Sequence, residues 1–248
     1  MGKIILITGG SEGIGASTAI LAAQKGYTVC INYRQNEAGA AAVANEIRKT
    51  GTTCFTIQGD ISSEEDVVKM FLFVDKNVGR LTALVNNAGI VETGMSVREM
   101  SRRRLMNIFS VNVIGSFLCA REAIKRMSVK TGGSGGGIVN VGSAASKHGS
   151  PFEYVDYASS KGAIDTMTLG LSKEVADDGI RVNTVRPGII HTGIHAKGGD
   201  PGKVERKKDA IPMKRGGYPE EVARTILWLL SDEASYITGA LVDVSGGR

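Results

Sequence analysis

Seven short runs rich in β-branched residues, Ile4 to Thr8, Thr28 to Asn32, Cys54 to Gln58, Leu81 to Asn86, Gly137 to Val141, Arg181 to Val185 and Leu241 to Val244, alternate with stretches of helical periodicity. A strand that passes through a helix to a parallel neighbour returns by a right-handed crossover, which places helices on both faces of the sheet. The expected fold is therefore α/β, a single doubly wound Rossmann domain with a seven-stranded parallel sheet. The 248 residues suffice for one such domain with a full core, and no repeat or linker divides residues 1–248. Among the helices, Val67, Met70, Phe71, Val74 and Val78 form an inward stripe. The box Ser96 to Glu99 has N-cap chemistry for the helix containing Leu105, and Pro219, Glu220 and Glu221 open another helix.

Charge and cysteine usage narrow the possible roles. Thirty basic and 25 acidic side chains give a formal charge of +5, without a long basic block or aromatic-interleaved stripe, so nucleic acid is not an expected partner. Cys30, Cys54 and Cys119 are widely spaced in apolar runs and read as reduced structural thiols. No stretch is long and apolar enough to span a bilayer, and the apolar run Ile4 to Ile7 is too short for a signal-peptide core. A cytoplasmic location follows as an expectation. Of two glycine-rich stretches, Gly132 to Gly137 precedes a strand and reads as a surface loop. Residues 189–217 follow one and read as a mobile flap over a substrate pocket.

Where the first strand meets the first helix stands Thr8, Gly9, Gly10, Ser11, Glu12, Gly13, Ile14, Gly15. Glycines there let the backbone approach a pyrophosphate, while free N–H groups and the helix dipole favour anionic oxygens. An ordinary tight turn is the plainer alternative, but the position inside a βαβ unit points to a dinucleotide. At the tip of the second strand, Asn32, Tyr33, Arg34, Gln35 and Asn36 offer no carboxylate for a ribose 2′-hydroxyl. Arg34 is suited to clamp a 2′-phosphate, or else is a solvated surface charge. Glu12, inside the phosphate loop, either repels a 2′-phosphate or pairs with Arg34. NADP(H) is the expected cofactor and NAD(H) the alternative.

Tyr157 and Lys161 lie four residues apart in a stretch from 155 to about 176 that reads as helix, which puts phenol and ammonium on one face. A nearby cation favours the phenolate, and a tyrosine so tuned can shuttle a proton beside a hydride-transferring cofactor. At this point the chain resembles the classical short-chain dehydrogenase/reductase family from end to end. TGGSEGIG corresponds to that family's TGxxxGxG, Asp60 to its adenine-contacting aspartate, and Asn86, Asn87, Ala88, Gly89 to its NNAG segment. Asn112 corresponds to the helix asparagine, Ser143 with Tyr157 and Lys161 to the catalytic serine and YxxxK, and Arg186, Pro187, Gly188 with Thr192 to the segment beside the nicotinamide.

The resemblance implies that Tyr157 is the general acid/base, Ser143 polarises the substrate oxygen, Lys161 lowers the Tyr157 pKa and holds the nicotinamide ribose, and Asn112 anchors a relay water. It implies cofactor contacts at Gly9, Ser11, Glu12, Gly13, Ile14, Gly15, Tyr33, Arg34, Asp60, Ile61, Asn87, Ala88, Gly89, Tyr157, Lys161, Pro187, Gly188, Ile190 and Thr192. It also implies a homotetramer and a small carbonyl or alcohol substrate: sugars, ketones, quinones or acyl-carrier thioesters. Taken singly, Ser143 could be a helix cap, Tyr157 a packing residue and Lys161 a solvated charge.

Three departures stand out: Glu12 where NADP-dependent relatives often have a basic residue, Gly142 where a second serine is frequent, and one extra residue between Ser143 and Tyr157. The last suggests a bulged loop. Tyr154 lacks a lysine at i+4 and is a decoy phenol. His191 and His195 lack an evident third metal ligand and read as loop histidines, so no metal is expected. The flap's basic excess reads as a solvated lid or as an attractor for anionic substrates. The competing function is a non-catalytic NADP(H)-sensing binding protein on the same fold.

Overall fold

The computed structural model describes residues 2–248. Seven strands form one sheet: β1 Lys3–Ile7, β2 Tyr27–Tyr33, β3 Cys54–Gln58, β4 Ala83–Asn86, β5 Gly136–Val141, β6 Ile180–Pro187 and β7 Leu241–Val244. All pairings are parallel and the order is β3-β2-β1-β4-β5-β6-β7, so the doubly wound sheet expected from the alternation is present. Helices in chain order are α1 Gly13–Gln24, α2 Glu37–Lys49, α3 Glu64–Asn77, α4 Arg102–Phe109, α5 Gly115–Met127, α6 Ala145–His148, α7 Val155–Glu174, α8 Ile194–Lys197, α9 Lys203–Lys207 and α10 Pro219–Leu230.

Side-chain alternation splits the core in two. Ile5 and Ile7 of β1 pack with Val29, Ile31 and Val139 under α1, α2 and α10, whereas Ile4 and Leu6 pack with Cys30, Leu84 and Ile138 under α3, α5 and α7. Strands buried on both faces explain why these runs are almost wholly apolar. The α3 stripe packs inward through Val67, Met70, Phe71 and Val74, while Val78 is the C-cap residue and only partly buried.

Two details differ from the sequence expectation. The Ser96 to Glu99 box closes on a 3-10 turn, Val97–Glu99, and α4 starts at its own cap, Ser101, whose hydroxyl accepts the Arg104 N–H at 3.2 Å. Box chemistry needs only one turn, so it cannot tell a 3-10 turn from a longer helix. Between α4 and α5, residues Ser110–Ile114 form a π-helical turn with Asn112 at its centre. Of the stretch Gly132 to Gly137 read as a loop, Gly132 to Gly135 form one at the amino end of the sheet, while Gly136 and Gly137 belong to β5.

The chain reverses its direction of travel across the sheet between β1 and β4. Loops leaving their carboxyl ends therefore splay apart and leave a crevice, the place where ligands bind in open α/β sheets.

Candidate active site

The glycine run after β1 lines that crevice. Gly9 and Gly13 have φ of +62° and +57°, conformations that favour glycine. A Cβ on Gly9 would stand 2.9 Å from the Ala88 Cα, and one on Gly15 2.4 Å from the Gly9 carbonyl oxygen. Asn87 fastens this turn from the β4 side: its Nδ2 donates to the Thr8 and Gly9 carbonyls at 2.9 Å each. The Thr8 hydroxyl in turn accepts the Asn87 and Ala88 N–H groups at 3.0 Å. Glu12 precedes α1 without a side-chain cap, so first-turn N–H groups remain for an anion. A tight, pre-formed cradle at a helix N-terminus fits a dinucleotide pyrophosphate.

The cradle opens into a cavity of about 620 Å³, within the usual range for a small-molecule or cofactor site. Ser143 and every residue of the expected cofactor set line it except Gly13 and Gly15, which shape the turn. At the tip of β2, Arg34 Nη1 lies 3.4 Å from Asp60 Oδ2. Burial alone would raise the Asp60 carboxyl, but hydrogen bonds from Ser62 and the Arg34 charge hold it below its ordinary value. Glu12 does not pair with Arg34. Its carboxylate meets Lys197 of α8, 185 residues along the chain, which links the glycine loop to the flap.

Ser143, Tyr157 and Lys161 come together where β5 ends and α7 begins. The Lys161 Nζ is 5.7 Å from the centre of the Tyr157 ring and donates to the Val141 carbonyl at 2.7 Å. Burial pushes the Lys161 amine down to about 8, with Asp165 opposing it. Burial pushes the Tyr157 phenol up, and its hydrogen bond with Ser143 offsets part of the rise. The expected lowering of the phenol by Lys161 is thus not the dominant influence within the protein's own field. Ser143 also accepts the Ala145 N–H at 3.1 Å, but Ala144 is the N-cap of α6, so Ser143 lines the pocket without being that helix's cap. Gly142 is explained by space: a Cβ there would lie 2.7 Å from the Thr184 Cγ2.

Asn112 lies behind the cavity wall. Its Oδ1 accepts the Ile90 N–H at 2.8 Å and its Nδ2 donates to the Ile90 carbonyl and Ser160 hydroxyl at 3.0 Å each. The side chain is a brace between the β4 loop and α7. A Cβ on Gly89 would come within 3.4 Å of both Asn112 Oδ1 and Lys161 Nζ, so these three residues converge. Asn86, in the same NNAG segment, points into the core and bonds Asn140 at 3.0 Å.

The extra residue between Ser143 and Tyr157 appears as strain: Ser150 and Phe152 adopt φ of 42° and 62°, and Phe152 is 86% exposed. In the flap, Lys197 meets Glu12, Lys203 meets Glu153 at 3.0 Å, and Gly198 accepts the Tyr154 hydroxyl at 3.0 Å. His191 stacks on Tyr218 and His195 bonds the Ile190 carbonyl. The three cysteines are free and buried, with thiols pushed by burial up to about 12 for Cys30, 11 for Cys54 and 12 for Cys119.

One pair escaped the sequence reading. Arg104 and Asp156 are both buried and meet at 2.6 Å and 3.3 Å; Arg104 also donates to the Thr93 carbonyl, and Asp156 accepts the Tyr157 N–H at 2.9 Å. This pair fixes the backbone that carries the Tyr157 phenol. Position 156 beside the tyrosine was the available signal, but three successive arginines hid which one turns inward.

The family model described as Enoyl-(Acyl carrier protein) reductase matches residues 9–248. The chain is 58% identical over 245 residues to "Uncharacterized oxidoreductase YgfF" of Escherichia coli, covering 99% of each, and 35% identical over 249 residues to "Glucose 1-dehydrogenase 2" of Bacillus subtilis, covering 99% and 94%. The crystal structure of a 3-ketoacyl-(acyl-carrier-protein) reductase from Brucella melitensis complexed with NADH superimposes with a TM-score of 0.92 at 33% identity, covering 100% of this chain and 98% of that one. From a match over nearly its whole length and a fold shared throughout, the chain belongs to the classical short-chain dehydrogenase/reductase family of nicotinamide-dependent oxidoreductases.

Proposed function

We propose that the protein is an NADP(H)-dependent oxidoreductase that moves hydride between the nicotinamide and a carbonyl or secondary-alcohol substrate, with Tyr157 as general acid/base. The observation that carries this reading is the convergence of Ser143, Tyr157 and Lys161 on the wall of the cavity that the glycine cradle opens. The nicotinamide, when bound, supplies or accepts the hydride. As negative charge develops on a carbonyl oxygen, the Ser143 and Tyr157 hydroxyls donate to it, and Tyr157 then gives up its proton. A phenol raised by burial stays protonated at neutral pH, which suits it to act as an acid in the reductive direction. Lys161, held on Val141, keeps a charge beside it and is the group that would hold a nicotinamide ribose. Asn112 supports the site by bracing Ile90 and Ser160.

For the cofactor, Arg34 is the cation nearest the end of β2, and the Glu12 charge that would repel a phosphate is answered by Lys197. The Arg34→Ala variant should lower the NADPH-to-NADH ratio of kcat/KM by about 10–100-fold, the worth of a charge-assisted hydrogen bond. An unchanged ratio would remove Arg34 from cofactor selection. Assembly is read as a homotetramer, supported by exposed Ile114 at the end of the π-turn, Phe117 in the first turn of α5 and Leu169 on α7. Buried thiols and the absence, among the described residues, of a helix able to cross a membrane accord with a cytoplasmic enzyme.

The test is turnover of sugars, ketones, quinones and secondary alcohols, followed by the absorbance of the reduced nicotinamide with each cofactor. Oxidation or reduction of at least one class is expected. Tight NADPH binding with no turnover anywhere would favour a redox-sensing binding protein instead.

A further inference from the structure

The flap carries a charge pattern that hydride transfer alone does not use. Between Lys197 and Lys208, five basic and two acidic side chains leave an excess of +3. Four of those cations are answered by carboxylates, Lys197 by Glu12, Lys203 by Glu153, Arg206 by Asp200 and Lys208 by Glu205, which leaves Lys207. Lys203 and Lys207 stand apart from the rest by position. They open and close the five-residue helix α9, a spacing that puts both on one face, and both line the cavity that contains Ser143 and Tyr157.

Lys203 is 13% exposed in its side chain and 3.0 Å from Glu153, with its ammonium 4.5 Å from the centre of the Tyr154 ring. Tyr154 lies just before α7, one turn from Tyr157, so this cation is held close to the reacting end of the cavity. Its contact with Glu153 engages one of three ammonium protons. Lys207, half-buried, has no carboxylate within 4.0 Å among the described residues. The side-chain carboxylates that line the cavity among the described residues, Glu12, Asp60 and Glu153, already face Lys197, Arg34 and Lys203 in turn. A partly desolvated ammonium without a counter-ion, in a concave site, gains most from an anion that arrives with the ligand.

We propose that the substrate carries a carboxylate or phosphate away from its reacting carbon, and that Lys207, with Lys203 beside it, binds that anion. The inference rests on the oxidoreductase reading of the same cavity. It divides the cavity's charges between two tasks: Arg34 at the cofactor end, and the two α9 lysines on the flap at the substrate end.

The test uses the protein saturated with NADP+, titrated in a calorimeter with benzoate, phenyl phosphate and benzamide, and then the NADPH-dependent reduction of matched aldehydes. The pairs are para-carboxybenzaldehyde with benzaldehyde, and glyceraldehyde phosphate with glyceraldehyde. At least one anionic class should bind and turn over about 10-fold or more better than its neutral partner, and whether benzoate or phenyl phosphate binds better assigns carboxylate or phosphate. Lys207→Gln should collapse that preference towards unity, while Arg206→Gln, whose partner is Asp200, should keep it. Equal treatment of charged and neutral ligands, or a Lys207→Gln loss shared by both, overturns the inference and leaves the oxidoreductase reading standing. So does turnover confined to thioesters on an acidic carrier protein. Absence of turnover with every substrate and both nicotinamides overturns the parent reading, and this inference with it.

Discussion

Tyr157 and Lys161 respond to one cause in opposite directions: burial disfavours the charged form of each, so the phenol rises and the amine falls. Below about 8 the amine keeps its charge; above it the charge is lost while the phenol is still protonated. For carbonyl reduction, kcat/KM for the nicotinamide, which reports the free enzyme, should therefore be level through neutrality and fall with an alkaline limb near pH 8. Lys161→Arg, which keeps its charge, should move that limb upward. A limb that begins only near the ordinary tyrosine value of about 10, and does not move in the variant, would show that Lys161 does not govern it. At this scale the sequence was most legible where spacing is local, as in Tyr157 and Lys161. It was least legible where the partner is remote: Glu12 was recognised as a departure, but its answer, Lys197, lies 185 residues away on a flap whose path no local pattern specifies.

Among the elements, the start of α7 decides whether the site is assembled. Arg104 of α4 and Asp156 of α7 are desolvated together, and Asp156 also holds the Tyr157 N–H. Removing one member leaves the other charge buried and unpaired, which costs about 3–5 kcal/mol. Arg104→Met should accordingly lower the urea midpoint and reduce kcat. Unchanged stability would mean that the pair is not formed in solution. The long helix α7 could be read from its sequence, whereas the π-turn at Asn112 could not, because one extra residue per turn leaves no periodicity over five positions. The loop between Ser143 and Tyr157 lies between these cases. Its extra length was visible, but the left-handed backbone at Ser150 and Phe152 and the exposure of Phe152 were not, because no local pattern marks them.

For the whole molecule, the doubly wound parallel sheet followed from alternation and crossover handedness, whereas the order of its strands came from the structure. Association was not legible in the same way, since an apolar residue on a helix can face either the core or another copy. Phe117 at 51% exposure and Leu169 at 43% lie outside both core clusters. Light scattering should return four times the mass of the 26.1 kDa chain, and Phe117→Asp should lower it. A monomer at every concentration would reject the tetramer.

The central claim is that the Tyr157 hydroxyl gives or takes the substrate proton in the cavity built on the glycine cradle. Its most direct measurement is Tyr157→Phe, assayed for NADPH affinity by fluorescence and for turnover with whichever substrate the wild-type protein accepts. The account predicts affinity within about 3-fold of wild type and a rate lower by about 10²–10⁴-fold, the usual contribution of a positioned acid or base. A variant that turns over at the wild-type rate would contradict it.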